Sequence, residues 1–443
     1  MISVSEAYKA AIDANRRHII PKVLVYFNTI PAEFSGDEVI SLNLLEEARA
    51  ETGNPLGAVS SNELTITLDN TNHHFTPTNT ASPYYNRLKP NVKIEAFLAL
   101  EITTGVYEDI PLGIFYTAEW KEGTVTGYDA LCALGAMDVP MVKPREDTTI
   151  GTMFADLFEA LEVDSFYVDP RLIQSVSIGW LPKGSVNQAL QLLCAAGNCF
   201  VNVDRFGRIK AQKNTPSGVA VATLKDSNQI LHAENPQKYL GIYNAIKLTY
   251  SGVRMGRKRE EILKIEDAEI ESGTSVLDKT DFSGGPIGQV EKVTLLKPEE
   301  CYMSTVAYDA WSIIINTENP GEDEKLDITV TGFPITVKTR HREVINEALV
   351  ADWGRKELQV ENYLLQHRTV AQEYAEEILS IMSDPFKNFY LDVRGNPALE
   401  IGDVVTVDDP TDRIPLTNIV IERIELAYDG GLSGTIEGSR TIL

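Results

Sequence analysis

The side chains able to do chemistry are few and dispersed. His73 and His74 are the one adjacent histidine pair. In an extended segment neighbouring side chains point to opposite faces, so the two do not readily share a metal, and they read as loop histidines. His341 and His367 stand alone, with no serine or cysteine partner in view. Cys132, Cys194, Cys199 and Cys301 are too few for a disulfide scaffold. Cys194 and Cys199 lie in CAAGNC, five apart rather than in a CxxC pair, and read as small buried apolar residues. The sequence has no HExxH, no GxSxG, no GxxxxGK[ST], and no GxGxxG after a strand. Carboxylates are plentiful, but glycoside cleavage needs two of them about 5–10 Å apart across a cleft, and no Asp or Glu has a context that singles it out. Trp120, Trp180, Trp311 and Trp353 are scattered and read as core or interface rather than as sugar platforms. The acidic run Glu318–Lys325 lacks calcium-loop spacing and reads as a solvated loop tip. The expectation is therefore no catalytic residue, no cofactor site and no metal site.

The elements that would position these residues follow from pattern. The chain has 443 residues, 43% hydrophobic and 23% charged, which suits roughly two to four domains. No apolar run reaches the ~20 residues of a membrane span. The first residues lack the apolar core of a secretory signal, so synthesis and folding in a cytosol are expected. The formal charge is −24, which argues against a nucleic-acid grip built on a basic stripe. It suits a conduit that must not hold DNA, and equally a large protein kept soluble by charge.

A helix is predicted over 3–15, with Ser3 and Glu6 at capping-box spacing. A strand follows from Lys22 to Phe27, then a short one near Val39–Leu42, then the cleanly alternating Glu63–Leu68. With Val92–Leu100, the strand closing on Pro111–Tyr116, and Gly123–Asp129, these predict a small antiparallel barrel. After Pro140, a helix capped by Asp147 or Thr148, a second one opening at Gly184–Ser185 and ending at Gly197–Asn198, and a hairpin turning at Asp204–Gly207 predict an α+β unit. From Val219 to about Gln359 the pattern is β again. Thr369–Ser383 is the clearest helix, stopped at Asp384–Pro385. Phe389–Gly438 predicts a second compact antiparallel barrel. The fold class is α+β, mainly β. The expected units are 1–140 (helix and first barrel), 141–215 (α+β), 216–366 (β-rich) and 367–443 (helix and second barrel).

Between the strands of the first barrel lies a long polar loop, Asp69 to Pro90. It contains Asp69-Asn70, Phe75-Thr76-Pro77, Ser82-Pro83-Tyr84-Tyr85 and Leu88-Lys89-Pro90. It looks like an ordered loop threaded across a barrel rim. Asp69, Asn70, Phe75, Pro77, Pro83, Tyr84, Tyr85, Leu88 and Pro90 are the candidate assembly residues.

Three segments carry a family resemblance: SVSEAYKAAIDANRRHIIPKVLVYF; NELTITLDNTNHHFTPTNTASPYYNRLKPNVKIEAFL followed by IPLGIFYTAEW; and NPALEIGDVVTV. They resemble the baseplate hub and tail-tip proteins of phages and phage-like injection particles, including tailocins. The typical form has a glycine after Leu-Lys/Arg-Pro; here Asn91 stands there, a residue that also accepts left-handed turns. The resemblance implies a homotrimer in which two barrels per chain make a pseudo-hexameric torus. Such a hub joins a hexameric tail tube or distal tail protein above to a three-fold spike, fibre or other baseplate protein below. It lines the channel through which phage DNA passes without specific binding. The implied location is the virion tail or baseplate, assembled in the host cytoplasm. Because the sequence ends soon after the second barrel, the structural hub alone is expected. The alternatives are a tail-associated peptidoglycan hydrolase or endopeptidase, and a receptor-binding tail protein.

Overall fold

The computed structural model describes all residues except 49–55, 58, 216–217, 226–228, 235–241, 297–301, 385–387, 412–413 and 442–443. It opens with helix α1 (Glu6–Ile12). The cap is Ser5, not Ser3: the Ser5 hydroxyl accepts the Tyr8 N–H at 3.0 Å, and Glu108 accepts the Ser5 N–H at 2.9 Å. Seven strands follow: β1 (Ile19–Val25), β2 (Ala32–Ser35), β3 (Val39–Glu47), β4 (Glu63–Leu68), β5 (Lys93–Thr103), β6 (Val106–Lys121) and β7 (Thr124–Tyr128). They pair in the order β2-β1-β5-β6-β7-β4-β3. Helix α2 (Ala130–Ala136) comes next.

The α+β part holds β8 (Arg145–Thr149), α3 (Ile150–Ala160), β9 (Phe166–Val168), β10 (Ser175–Gly179), α4 (Val186–Gly197), β11 (Cys199–Val203) and β12 (Ile209–Lys213). Thr149 caps α3, not Asp147 or Thr148. A cap residue needs extended backbone, and Asp147 instead has φ 46°. Ser185 caps α4 in a box with Gln188, and Asn198 ends it in the left-handed region, as its sequence predicts. Strands β8, β9 and β10 are short, and β8 (REDTT) carries no apolar pattern to mark it.

Two further strands, β13 (Ala222–Lys225) and β14 (Ile230–Glu234), pair with C-terminal strands rather than with the middle region next to them in the chain. The β-rich middle comprises β15 (Ala245–Met255), β16 (Glu260–Ile270), β17 (Gly273–Asp281), β18 (Ile287–Leu296), β19 (Tyr302–Tyr308), β20 (Ser312–Asn319), β21 (Glu324–Ile345), the short helix α5 (Glu347–Trp353) and β22 (Glu357–Asn362). Helix α6 (Arg368–Met382) lays Ala371, Tyr374, Ala375 and Ile378 on Ile246, Leu248 and Tyr250 of β15. Pro385, expected to stop it, lies outside the described residues; the helix is capped by Ser383. The chain closes with β23 (Asn388–Val393), β24 (Val404–Asp409), β25 (Ile414–Tyr428) and β26 (Leu432–Arg440).

Two separate closed barrels are not what these strands form. The N-terminal strands and β13, β14 and β23–β26 belong to one 13-stranded sheet, curled but unclosed. The join is the antiparallel pairing of β3 with β25, from Glu47 opposite Arg423 to Leu42 opposite Tyr428. A β3 longer than its short apolar stretch suggested reaches that far. In each half the strands at the two ends of the array are consecutive in the chain: β2 with β3, and β13 with β14. Few residues separate each pair, so the ends cannot lie far apart, and each half must bend round. A single core accordingly runs through both: Leu44, Ile66 and Phe115 share it with Ile421, Leu426 and Ile436.

The α+β part is fastened to this sheet by one buried cation. Arg205, at the tip of the β11–β12 hairpin, donates to both carboxylate oxygens of Glu46 on β3, at 3.1 and 2.7 Å. It also donates to the Leu399 carbonyl at 2.8 Å and to the Pro397 carbonyl. The two side chains are 1% and 4% exposed. Burial opposes the guanidinium charge, but Glu46, with Glu400 beyond it, overrides burial and holds the pKa above its ordinary value. Nearby, Asp129 accepts the N–H groups of Asn62 and Leu131, each at 2.9 Å, and so caps α2. Burial outweighs these donors, and Glu46 adds to it, pushing the Asp129 pKa up to about 7.

Two measurements test these buried charges. Arg205→Ala leaves Glu46 buried without its partner and should lower the unfolding free energy by about 3–5 kcal/mol; replacing Arg205 and Glu46 together by Met should cost less, as read from urea midpoints. For Asp129, the unfolded carboxyl ionises near 3.8 and the folded one only near 7. Its contribution is full below the unfolded value and is lost as the pH rises through the folded one. Wild type should therefore lose stability relative to Asp129→Asn between about pH 4 and about pH 8; equal midpoint differences at both ends would contradict this.

Candidate assembly loop

The residues between β4 and β5 form a staircase. Backbone N–H groups of His73, Thr76, Asn79, Ser82 and Tyr85 each donate to the carbonyl three residues earlier, at 2.9–3.3 Å. Turn succeeds turn at a step of three, which gives a long segment its own hydrogen-bond ladder without a strand partner. Pro77 and Pro83 each occupy the second position of a turn, where a φ fixed near −65° fits. Side chains brace the steps. Asn70 accepts the Phe75 N–H at 2.8 Å and donates to the Thr76 hydroxyl at 3.2 Å. Asp69 accepts the Thr71 N–H at 3.0 Å.

Both ends are pinned to the sheet. The Asp69 N–H donates to the Glu38 carbonyl at 2.9 Å. At the other end, buried Thr117 donates its hydroxyl to the Lys89 carbonyl at 2.6 Å and accepts the Val92 N–H at 2.9 Å. Asn91 has φ 62°, the left-handed turn for which an Asn is suited in place of Gly.

The loop's inward face is aromatic. Phe75 stacks on Tyr84 at 5.3 Å between ring centres and on Trp120 at 6.2 Å, and meets Phe34 edge-on at 5.3 Å. Phe27 stacks on the same Tyr84 at 4.7 Å. Leu88 packs against this core. Burial raises the Tyr84 pKa, the Glu38 charge adds to the rise, and Arg87 partly offsets it. Of the sequence candidates, Phe75, Tyr84 and Leu88 are brought together under the loop, with Asn70 bracing it. Asp69, Pro77, Pro83, Tyr85 and Pro90 are exposed on its outer side and do not converge. Sequence reasoning did not pick out Phe27, Phe34 or Trp120 as the floor of the loop. It also passed over the turn-forming Thr76, Asn79 and Ser82, whose spacing by threes, continuing from Asn70, is the signal of the staircase.

The other chemical candidates stay apart. His73 and His74 are exposed on the staircase. Among the described residues no three His, Cys, Asp or Glu side chains gather as a metal would require. Cys194 and Cys199 are buried, and burial followed by the neighbouring Cys199 raises the Cys194 thiol; Cys132 is exposed, and Cys301 lies outside the described residues. Trp120 and Trp180 are core residues, the latter stacked on Tyr363 at 4.6 Å. Trp311 donates its ring N–H to the Leu181 carbonyl at 2.8 Å. Of the acidic run at 318–325, residues 320–323 turn between β20 and β21, braced by Asn319, and the ends of the run belong to the two strands. No helix among the described residues is long and apolar enough to cross a membrane.

No protein-family model and no curated protein matches the sequence. The fold is similar to that of the 43 kDa tail protein of prophage MuSo2 from Shewanella oneidensis, with a TM-score of 0.52 at 10% identity over 95% of this chain and 98% of that one. It is also similar to a tail protein from Neisseria meningitidis MC58, with a TM-score of 0.50 at 8% identity over 95% of this chain and 96% of that one. At such identities the likeness is one of fold: the chain has a fold found in phage tail proteins.

Phe75→Ala should destabilise the protein by about 3–5 kcal/mol, because it empties the centre of a stacked aromatic cluster. Pro77→Ala on the outer face should cost less than about 1 kcal/mol. Urea denaturation of both variants checks the contrast, and equal costs would mean that Phe75 is not the anchor.

Proposed function

We propose that the chain is a structural tail protein: a trimeric baseplate hub that joins a hexameric tail tube or distal tail protein to a three-fold spike, fibre or other baseplate protein. The observation that carries the proposal is the breadth of the fold likeness, which takes in 95% of this chain and 98% of a prophage tail protein. In this reading the chain is an adaptor rather than an enzyme, without cofactor. The tailocin and the DNA-carrying phage tail are both compatible with it.

The two curled halves support a torus. Each half ends on a pair of consecutive strands, and β3 and β25 join the halves. In this reading units 1–140 and 367–443 line a ring of six barrel-like halves from three chains, the second completed by β13 and β14. Units 141–215 and 216–366 project from it. The channel conducts DNA without binding it when the particle is a phage, because a chain with 64 acidic against 40 basic residues repels phosphate on balance. Assembly takes place in the host cytoplasm, and the finished protein resides in the tail. The outer residues of the loop, Asp69, Pro77, Pro83, Tyr85 and Pro90, are the proposed contact with a neighbouring tail protein.

Mass photometry and negative-stain images of the purified chain, alone and with its tail partners, are expected to show a three-fold ring with a central hole. A chain that stays monomeric in both settings overturns the hub. Cleared zones on cell-wall zymograms, abolished by a single Asp or Glu substitution, would establish the hydrolase instead.

A further inference from the structure

In a chain of net charge −24, one sheet face carries positive charge that nothing balances. The register of β15 on β21 sets Arg254 opposite Thr336, Gly252 opposite Lys338 and Tyr250 opposite Arg340. Alternation puts all of these on one face. Arg257 and Lys258 follow directly after β15. The five cations are exposed, and none has an ion-pair or hydrogen-bond partner among the described residues. Gly252 makes the arrangement possible. A Cβ there would lie 2.9 Å from Arg340 Nε, so the guanidinium lies across the bare backbone. Arg254 and Lys338 are diagonal neighbours across the ladder, within reach of each other as long side chains, so their like charges repel. An anion covering the face would reverse that penalty.

The matching anion is on the same chain. β21 is 22 residues long and begins in a region of the opposite sign. There β16 ends against it, with Glu269 opposite Lys325. Glu271, Glu322 and Asp323 are exposed beside that end and carry no ion pair among the described residues. Lys264 and Lys325 are already taken by Glu266 and Glu269. From Asp327 to Lys338 the strand spans on the order of 35 Å, so the acidic end and the basic face are held apart within one chain. Between chains they can meet, head to tail, and a contact of that kind closes into a ring when the rotation permits.

We infer that the basic face of β15 and β21 docks the acidic end of β21 and β16 from a second copy of the chain. The inference rests on the proposed ring and adds a contact between the projecting 216–366 units of neighbouring chains. A DNA duplex is the other polyanion such a face could hold; the chain's own acidic end is favoured because it comes with every copy, in equal number and with complementary charge.

The test is sedimentation of wild type and exposed-residue variants at about 50 mM and about 500 mM NaCl, with circular dichroism to confirm folding. Lys338→Glu with Arg340→Glu, and separately Glu271→Lys with Glu322→Lys, should each raise the dissociation constant of the assembly about 100-fold at low salt. Reversing all eight charges in one chain, with Arg254, Arg257, Lys258, Lys338 and Arg340 changed to Glu and Glu271, Glu322 and Asp323 changed to Lys, restores the charge match with its sign reversed, and should bring assembly back to within about tenfold of wild type. Wild type should itself dissociate more readily at high salt. If wild type assembles and the variants assemble equally well at both salts, this contact is wrong and the ring stands. If wild type is a monomer at every concentration, the ring and the contact both fail. If wild type shifts a short DNA duplex and the Lys338/Arg340 variant does not, while assembly is unchanged, the face belongs to nucleic acid and the inference is overturned.

Discussion

The ion pair of Arg205 with Glu46 is the constraint on which the arrangement of the chain depends. A guanidinium that is 1% exposed is costly unless its donors are met. Here they are met by a carboxylate from β3 and by the carbonyls of Pro397 and Leu399. Three remote stretches, around residues 46, 205 and 398, must therefore arrive together. No one of them can form its native environment alone. The N-terminal segment closes on the same place: the Ile2 N–H donates to the Ala398 carbonyl at 2.8 Å, and Tyr8 donates to Asn396 at 3.1 Å. Arg17 and Arg394 complete the fastening by reciprocal bonds to backbone. Arg17 donates to the Gly395 carbonyl at 2.6 Å, and Arg394 donates to the Ala14 and Asn15 carbonyls, each at 3.1 Å.

This fastening explains why an acidic, modestly apolar chain holds so large a sheet in one piece. The pairing of β3 with β25 adds a ladder whose register the buried Leu42, Leu44, Ile424 and Leu426 already specify. Arg205 adds the position of the hairpin, because its fork fits the planar carboxylate of Glu46 in one geometry. Glu46 sits on β3, at the seam between the two halves. The loop from Asp69 to Pro90 stands at another margin of the same sheet. Its Phe75 and Tyr84 cover the core where β1, β2 and β6 leave an aromatic floor of Phe27, Phe34 and Trp120.

Local pattern was legible in the sequence, and long-range partnership was not. The alternation of Glu63–Leu68, the stripe of Thr369–Ser383, the helix opening at Gly184–Ser185 and the turn at Asp204–Gly207 all lie within a few residues and follow local rules. Asn91 could be assigned its left-handed turn for the same reason. What failed were choices that a remote contact decides. Ser5 rather than Ser3 caps the first helix, where Glu108 on a distant strand receives it. β13 and β14 look like members of the middle region but are claimed by β24 and β23. Two barrels were expected because each end of the chain has its own strands, and nothing local reveals that β3 and β25 adjoin. The loop was visible as ordered from its prolines and aromatics, but its floor came from three other segments. Arg205 left no mark at all: within Asp-Arg-Phe-Gly it is one more turn residue.

The seam between β3 and β25 also sets a timetable. Asn43 and Glu425 hydrogen-bond across it at a separation of 382 residues. At ribosomal rates of about 5–20 residues per second, β3 is made on the order of 20–80 seconds before its partner exists. For that interval its outer edge is an unpaired row of donors and acceptors, open to any other nascent strand. Strand β25, made that much later, is thus what takes the edge of β3 out of circulation as an aggregation template.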